Sequence, residues 1–304
     1  MRLVWQEEDL KDAWDSAKQE SKAAFANDDM YMEKFIEDPR HIEIQIAGDQ
    51  YGRVCHLSER DCSIQRRHQK LVEEGPWLTD EVRSEIGALV CRGAEQVGYK
   101  GLATFEFLRD THGEFYFLEV NPRVQVEHTV TEMITGHNLV ELGIRVAQGD
   151  ELSLQQSDIS WSGHAIQCRI NAEDPQNGFR PSSGKITAYL SPGGVGVRID
   201  GVVYKDYTVP PYYDALLAKM TVQGRTWDET VRRTHRSLEE FVLRGVKTTI
   251  PFMMRIMEEP DFKAGRFDTS YLEAHPELFD YEQALEPEDM IVALSAAIAA
   301  YEGL

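Results

Sequence analysis

The chain has 304 residues, of which 42% are hydrophobic, and this exceeds the roughly 100 to 200 residues of a typical domain, so we expect two globular domains. A formal net charge of -20 argues against a broad nucleic-acid surface, and an anionic substrate would need a local basic pocket. The sequence has no long apolar run, no signal pattern and no zinc-like cysteine spacing, which favours a cytoplasmic protein with no membrane or nucleic-acid partner.

The N-terminal segment is predicted to contain one helix followed by strands. Residues 7–25 mix charged and apolar residues with a helical period, which predicts an amphipathic helix, and the apolar, aromatic run 30–36 predicts a buried strand. Residues 41–46 alternate strictly, with Ile42, Ile44 and Ile46 on one side, which is typical of a half-buried strand. A further strand is predicted over residues 53–57.

The next elements complete the first predicted domain. We expect a helix over residues 79–96, a hairpin of strands 103–108 and 114–120 closed by a turn at 110–113, and a helix over residues 138–147. Gly149 and Asp150 then open a polar stretch, residues 151–162, that we interpret as a domain boundary. The predicted domains are therefore residues 1–150 and 151–278, followed by a helical tail or linker, residues 279–304.

The second predicted domain is rich in strands. Strands are predicted over residues 161–170, 184–190, 195–204 and 213–222. Thr226 and Glu229 form a capping-box pattern that opens a helix to residue 243, and Gly245 is the predicted stop signal. The tail contains a predicted alanine-rich helix over residues 290–301.

The segment 119–127 carries the most informative polar pattern. If it is extended throughout, Val120, Val124 and Val126 pack together on one side. Its other side then projects Glu119, Asn121, Arg123, Gln125 and Glu127. Such a row can bind both cations and anions, although a solvated edge strand gives the same pattern.

Two carboxylates converge in the predicted hairpin. Pairing of its arms brings Glu106 beside Glu119, where the two charges repel unless a cation lies between them. Hard oxygen ligands suit magnesium, so Glu106, Glu119 and Asn121 are candidate ligands for Mg²⁺, or for Mn²⁺. The alternative is a pair of merely solvated glutamates.

Two further groups of residues are candidates for anion chemistry. Residues 65–70 form a dense basic run in an acidic chain, which indicates either an anion pocket or a solvated turn. Arg169 lies in a predicted strand, where an arginine serves either a ligand or a structural ion pair.

Three stretches, in the order expected, resemble the biotin carboxylases: SERDCSIQRRHQK at residues 58–70, EVNPRVQVEHTVTEM at 119–133 and RINAED at 169–174. Further matches at residues 181–186, at 210–214 and near Lys247 extend the resemblance over nearly all of residues 1–273. The resemblance implies an α+β architecture. It consists of the C-terminal portion of an ATP-grasp fold, followed by a biotin carboxylase C-terminal domain of antiparallel sheet plus helices. The combination of motifs separates this family from other ATP-grasp ligases.

The resemblance also implies roles for individual residues. The adenine pocket would be lined by Glu33, Lys34 and Ile36. Contacts to the ribose or phosphates of ATP would come from His41, Gln65 and His68. The metal would be held by Glu106, Glu119 and Asn121. The bicarbonate pocket would comprise Lys70, Arg123, Gln125 and Val126, with Glu127 as the general base and Arg169 facing the enolate of biotin.

The implied reaction is the ATP-dependent carboxylation of biotin on a biotin carboxyl carrier protein or domain. Bicarbonate attacks the terminal phosphate of ATP to form carboxyphosphate, which breaks down to carbon dioxide and phosphate, and the phosphate deprotonates biotin. Arg169 would stabilise the developing enolate. The implied partners are a carboxyltransferase and a second copy in a homodimer. The final acceptor, such as acetyl-CoA, propionyl-CoA or pyruvate, stays open because a separate carboxyltransferase selects it.

One departure from the family concerns the phosphate site. The family's glycine-rich lid and N-terminal domain would precede Met1, so we expect residues 1–304 alone to carboxylate free biotin at no measurable rate. Two other functions stay open: a different ATP-grasp ligase, and an inactive fragment or assembly subunit that only binds partners.

Overall fold

The computed structural model describes residues 2–281 and 287–302, which divide into two units, Met1–Glu37 and Asp38–Leu304. The first unit contains a short 3-10 turn (Glu7–Asp9) and helix α1 (Leu10–Phe25), which confirms the predicted helix. The predicted strand over residues 30–36 is wrong, since this part of the described chain has no regular secondary structure and Tyr31 is 79% exposed. An apolar run alone does not supply the hydrogen-bonding partner that a strand needs.

The second unit is built on strands of very different length. They are β1 (Arg40–Gly48), β2 (Val54–Arg66), β3 (Gln69–Gly75), β4 (Gly101–Arg109), β5 (Phe115–Asn121), β6 (His164–Asn171), β7 (Glu173–Asp174), β8 (Arg180–Pro181), β9 (Gly184–Lys185), β10 (Ala188–Leu190), β11 (Val197–Gly201), β12 (Thr208–Val209), β13 (Leu216–Gly224) and β14 (Val242–Arg244). Eight of them form one antiparallel sheet in the order β11-β13-β6-β3-β2-β1-β4-β5. The predicted hairpin is confirmed as β4 and β5.

The helices of this unit include several that pack against the sheet. They are α2 (Asp80–Gln96), α3 (His128–Thr135), α4 (Leu139–Gln148), α5 (Trp227–Glu240), α6 (Ile250–Glu258), α7 (Pro260–Lys263), α8 (Tyr271–Ala274) and α9 (Pro287–Glu302). The predicted helices over residues 79–96 and 138–147 are confirmed by α2 and α4, whose N-caps are Thr79 and Asn138. None of the helices in the described part of the chain combines the length and the apolar character needed to cross a membrane.

One face of the sheet is apolar and packs against α2. Ile42, Ile44 and Ile46 are fully buried there in a cluster with Ile86 and other residues of α2. The opposite face of β1 carries His41, Glu43 and Gln45, and these are buried as well. The strand is confirmed, but the prediction that it is half-buried is wrong, because polar groups that bond one another can be buried too.

Two sequence-based boundaries are wrong for packing reasons. Helix α5 begins after Thr226 as predicted but ends at Glu240, and the chain continues as strand β14, which pairs with β10. Phe241 and Leu243 bury in the core in this extended form, so Gly245 follows a strand and not the helix. Likewise β5 ends at Asn121, and residues 122–127 form a loop instead of a continued strand.

The predicted division at residue 150 stays a prediction. Strands from both sides of it hydrogen-bond in one sheet, where β3 pairs with β6. The predicted helix over residues 290–301 lies within α9 and is confirmed, whereas residues 282–286 and 303–304 of the predicted tail lie outside the described residues.

A buried ion pair fixes α2 to the sheet and generates the first prediction. Arg83 Nε donates to Glu59 Oε2 at 2.5 Å and Nη2 to Glu59 Oε1 at 3.0 Å, and both side chains are almost fully buried. The change Arg83→Met leaves Glu59 charged and buried, so we expect the free energy of unfolding in urea to fall by about 3 to 5 kcal/mol.

The matched control is Arg145→Met, which removes a half-exposed pair with Glu141 on helix α4. Here the expected loss is at most about 0.5 kcal/mol. Equal losses in the two variants would show that the buried pair contributes nothing special.

Candidate functional site

The polar face of the sheet is organised around Arg60, which is 0% exposed. Its guanidinium donates to Glu43 Oε2 at 3.0 Å and to Gln125 Oε1 at 2.9 Å. The remaining acceptors, on β1, β4 and α3, are Gln45, Thr104 and Thr131. A buried guanidinium is tolerated when all its N–H groups are satisfied, so this network fixes the position of each partner.

Lys70 lies at the rim of this network and contacts three carboxylates. Its Nζ is 2.9 Å from Glu127 Oε1 and 3.1 Å from Glu106 Oε1, and it also bonds Glu43. The side chain is 13% exposed, so one ammonium neutralises part of a buried cluster of negative charge. An anion that enters here competes with these carboxylates for the same N–H donors.

Glu127 is held between two cations. Its Oε1 accepts from Lys70, and its Oε2 accepts from Arg169 Nη2 at 3.1 Å. Arg169 is fixed in turn by Glu73, with Nε to Oε1 at 2.6 Å. Burial alone would raise the pKa of Glu127, but the charges of Lys70, Arg60 and Arg169 lower that pKa to about 2. The carboxylate is therefore ionised at neutral pH and can accept a proton.

Glu106 is the second anchored carboxylate. Its Oε2 accepts from His41 Nε2 at 2.7 Å, and its Oε1 accepts from Gln125 Nε2 at 2.8 Å. Burial would raise the pKa of Glu106, but the bond from His41 and the charge of Lys70 lower it to about 2.

The candidate metal ligands lie together where the C-terminal end of β5 pairs with the middle of β4. Glu106 is paired with Glu119 in the strand register, and Asn121 Nδ2 donates to both, at 2.8 Å to Glu106 and 3.1 Å to Glu119. The carboxylates of Glu106 and Glu119 thus lie on the same side of the sheet, and the amide of Asn121 lies between them. The two carboxylates are the hard oxygen ligands that Mg²⁺ prefers, whereas Asn121 turns its amide nitrogen to them and its Oδ1 to Arg123, so only a rotated amide would complete an oxygen set.

Other predicted site residues are not brought into this cluster. The basic run 65–70 spans the turn between β2 and β3, where Arg67 and His68 have positive φ and are exposed. Of that run, Lys70 reaches the buried carboxylates. Gln65 is the backbone partner of Lys70 in the pairing of β2 with β3, and the guanidinium of Arg66 stacks on Phe179. The run does not form one anion pocket by itself.

The remaining predicted residues are placed as follows. Arg123 is exposed and donates to Asn121 Oδ1 at 3.2 Å, and the carbonyl of Val126 accepts from Lys219. The predicted packing of Val124 with its neighbours is wrong, since Val124 is 43% exposed in the loop. The adenine-pocket candidates Glu33, Lys34 and Ile36 belong to the unit Met1–Glu37, and their role stays a prediction.

Three buried residues of the site were missed by reasoning from single motifs. Arg60 and Glu43 lie in strands that also carry apolar residues, and Glu73 lies in β3 beside Arg169. The available signal was a charged residue inside a strand with buried apolar neighbours, since such a charge must find a partner.

Comparisons with known protein families give two matches. Residues 1–155 match the carbamoyl-phosphate synthase L chain, ATP binding domain, and residues 167–274 match the biotin carboxylase C-terminal domain. The chain is similar to the 2-oxoglutarate carboxylase small subunit of Hydrogenobacter thermophilus, with 48% identity over all of this chain and 65% of the relative. It is 49% identical to biotin carboxylase 1 of Bacillus subtilis, over 90% of this chain and 62% of that protein.

Solved structures of relatives agree with these matches. The biotin carboxylase domain of thermophilic 2-oxoglutarate carboxylase bound to bicarbonate has a TM-score of 0.89 at 49% identity, over 92% of this chain and 64% of that one. A dimer of the Hydrogenobacter thermophilus domain with MgADP, ADP and bicarbonate has a TM-score of 0.88 at 49% identity, over 93% of this chain and 63% of that one. The chain thus spans slightly less than two thirds of the length of these relatives.

The lowered pKa of Glu106 generates a prediction about pH. A carboxyl group whose pKa is lower in the folded state than its ordinary value of 4.5 stabilises the fold fully at pH values above 4.5. This contribution is lost as the pH falls towards about 2, the pKa of Glu106 in the folded state. We expect Glu106→Gln to reduce the decrease of the urea midpoint between pH 5 and pH 3.5. The exposed Glu114→Gln is the control and should behave as the wild type. An unchanged decrease in Glu106→Gln would contradict the assignment.

Proposed function

The chain belongs to the biotin carboxylase family, and on that premise we propose that it forms the site where ATP activates bicarbonate for transfer to biotin on a carrier protein. The observation that carries the proposal is the position of Glu127 between Lys70 and Arg169. One ionised carboxylate lies between two cations that are fixed by other buried groups. This arrangement offers a proton acceptor and two anion-binding groups within one site.

Bicarbonate is proposed to bind at Lys70, beside Gln125, Val126 and the nearby Arg123. In the resting arrangement the contact with Lys70 makes Glu127 a weak base, since its pKa is about 2. A bicarbonate ion that takes over the N–H donors of Lys70 weakens that contact and raises the basicity of the carboxylate. Glu127 then removes the proton of bicarbonate as its oxygen attacks the terminal phosphate of ATP, and ADP leaves.

The proposed nucleotide contacts are Glu33, Lys34, Ile36, His41, Gln65 and His68. Glu106, Glu119 and Asn121 would hold Mg²⁺ or Mn²⁺, which supplies positive charge to neutralise the phosphates of ATP. Buried His41 donates to Glu106 and so orients this carboxylate towards the metal position.

Arg169 is proposed to act in the second step. Carboxyphosphate releases carbon dioxide and phosphate, the phosphate takes the ureido proton of biotin, and the resulting enolate attacks carbon dioxide. Arg169 is already oriented by Glu73 and would donate to the enolate oxygen where negative charge develops. Orientation before the reaction avoids reorganisation in the transition state.

The proposed partners are a biotin carboxyl carrier protein or domain, a carboxyltransferase and a second copy of the chain. One relative of known structure forms a dimer, which supports the homodimer. The carboxyl acceptor is left open, because relatives at 44% to 49% identity include 2-oxoglutarate carboxylase, pyruvate carboxylase and biotin carboxylase chains.

The function is tested by following ATP-dependent fixation of labelled bicarbonate onto biotin. Residues 1–304 are assayed alone and joined to the N-terminal part of the Hydrogenobacter thermophilus relative, which supplies the phosphate lid expected in the family. We expect fixation by the joined protein and none by residues 1–304 alone. Absence of ATP-dependent fixation in both would contradict the proposed function.

The role of Glu127 is tested in the joined protein by the change Glu127→Gln. Because a general base contributes about 100-fold to 10,000-fold, bicarbonate-dependent cleavage of ATP should fall by that factor. The exposed Glu141→Gln serves as the control and should keep full turnover. Unchanged turnover in Glu127→Gln would remove this residue from the mechanism.

A further inference from the structure

The loop of residues 122–127 is held by its backbone as well as by its side chains. The carbonyl of Gln125 accepts from His128 Nδ1 at 2.7 Å, and the carbonyl of Val126 accepts from Lys219 Nζ at 2.8 Å. Two consecutive carbonyl groups are therefore bonded by side chains immediately before Glu127. This fixes the peptide planes from which the side chains of Gln125 and Glu127 project.

Lys219 reaches this loop from the other matched domain. In the sheet, Lys219 on β13 is directly opposite Arg169 on β6, so the two cations lie side by side. Arg169 bonds the carboxylate of Glu127, and Lys219 bonds the carbonyl of the preceding residue, Val126. Adjacent strands thus hold two consecutive residues of the loop through two different kinds of acceptor.

A purely structural ion pair does not explain Lys219. Within residues 2–281 and 287–302, no carboxylate oxygen lies within 4.0 Å of its Nζ. The ammonium is partly buried, and burial lowers its pKa. A half-buried cation without an ion-pair partner is stabilised by the backbone acceptor, which gives that bond more weight than a bond at the surface.

The neighbouring His128 is suited to its part in the same arrangement. Burial first, and then the charge of Lys219, lower the pKa of His128, so that its ring is neutral at neutral pH. The ring Nδ1 faces both the Gln125 carbonyl, at 2.7 Å, and Lys219 Nζ, at 3.3 Å. Only the tautomer with its proton on Nδ1 donates to the carbonyl, and in that tautomer the ammonium of Lys219 bonds the Val126 carbonyl and not the ring.

We propose that Lys219 is a positioning residue of the bicarbonate site, which sets the direction of Gln125 and Glu127 through the Val126 carbonyl. The expected effect on bicarbonate affinity rests on the proposed function. The expected effect of Lys219 on the conformation of the loop 122–127 does not. Lys219 does not touch the reacting atoms. Its loss should therefore loosen the loop and weaken bicarbonate binding without removing any group that contacts the anion.

The first test is hydrogen–deuterium exchange of residues 122–128 in the chain of residues 1–304 without ligand. Lys219→Met keeps the length of the side chain but removes the donor, so we expect exchange in this segment to rise by about 10-fold, since bonds to charged groups are among the stronger ones. Exchange in α2 should not change. Lys219→Arg should restore protection, because a guanidinium also donates to a carbonyl.

The matched control is Lys185→Met, which removes an exposed ion pair with Asp206 elsewhere in the same domain. This variant should exchange as the wild type does. Unchanged exchange of residues 122–128 in Lys219→Met would overturn the proposal. A general rise over the whole chain would also overturn it, since Lys219 would then be a stability residue only.

The second test measures bicarbonate and ADP dissociation constants in the joined protein described above. We expect Lys219→Met to raise the bicarbonate constant by about 10-fold at unchanged ADP affinity, and Lys219→Arg to recover most of the loss. An equal loss of both ligands would contradict positioning. If the wild type binds no bicarbonate, the proposed function fails, and the exchange experiment still decides the role of Lys219.

Discussion

Charge buried inside the sheet is the constraint on which the rest of this structure depends. Arg60 is completely buried, and an unpaired guanidinium in that position would be prohibitively unfavourable. The chain meets this constraint by placing Glu43, Gln125 and Thr131 around it, from a strand, a loop and a helix. The folded state therefore requires each of these hydrogen-bond acceptors to stay against the buried guanidinium. The preorganisation that an active site requires follows from the same requirement.

The sheet extends this principle across the two matched domains. Strand β3 pairs with β6, which places Glu73 beside Arg169 and brings Arg169 up to Glu127. A buried carboxylate from the first matched domain is thus held by a cation from the second. If the two domains only docked through side chains, the distance between Arg169 and Glu127 would vary with relative domain motion. Hydrogen-bonded strands fix that distance through the backbone instead. The position of the site in the middle of the sheet is a consequence of that continuity.

Sequence patterns predicted the elements whose signals are local. The predicted helices over residues 79–96 and 138–147 and the capping box at Thr226 gave real helix starts, and strict alternation marked β1. The strand expected over residues 30–36 failed, because pairing depends on partners that are distant in sequence. Helix α3 went unpredicted, since it has only eight residues and follows directly on the segment 119–127, which was interpreted as one extended strand. Two helical turns give too short a pattern to identify a helix from its period.

The site divides in the same way. Glu106 beside Glu119 follows from hairpin pairing, so that pair could be predicted from the residues alone. The contacts of Lys70 with Glu43 and Glu127 join residues that are 27 and 57 positions apart, and no periodicity reports such contacts. The polar pattern of segment 119–127 included Glu127 among its candidates, but only the resemblance to a family gave it the role of a base. The resemblance left out Arg60, which touches no ligand in the proposed mechanism.

The resting electrostatics bear on the proposed role of Glu127 as a base, since its pKa is about 2 in the resting arrangement. Lys70 is shared among Glu43, Glu106 and Glu127, so its charge is divided among three acceptors before any anion arrives. In the proposed mechanism a bicarbonate ion takes those same donors, and its binding withdraws stabilisation from Glu127 when a proton acceptor is needed. The proposal therefore couples the basicity of Glu127 to the occupancy of the site. An ionised base that stayed fully paired would be too weak, and an unpaired one could not remain charged at this depth in the fold.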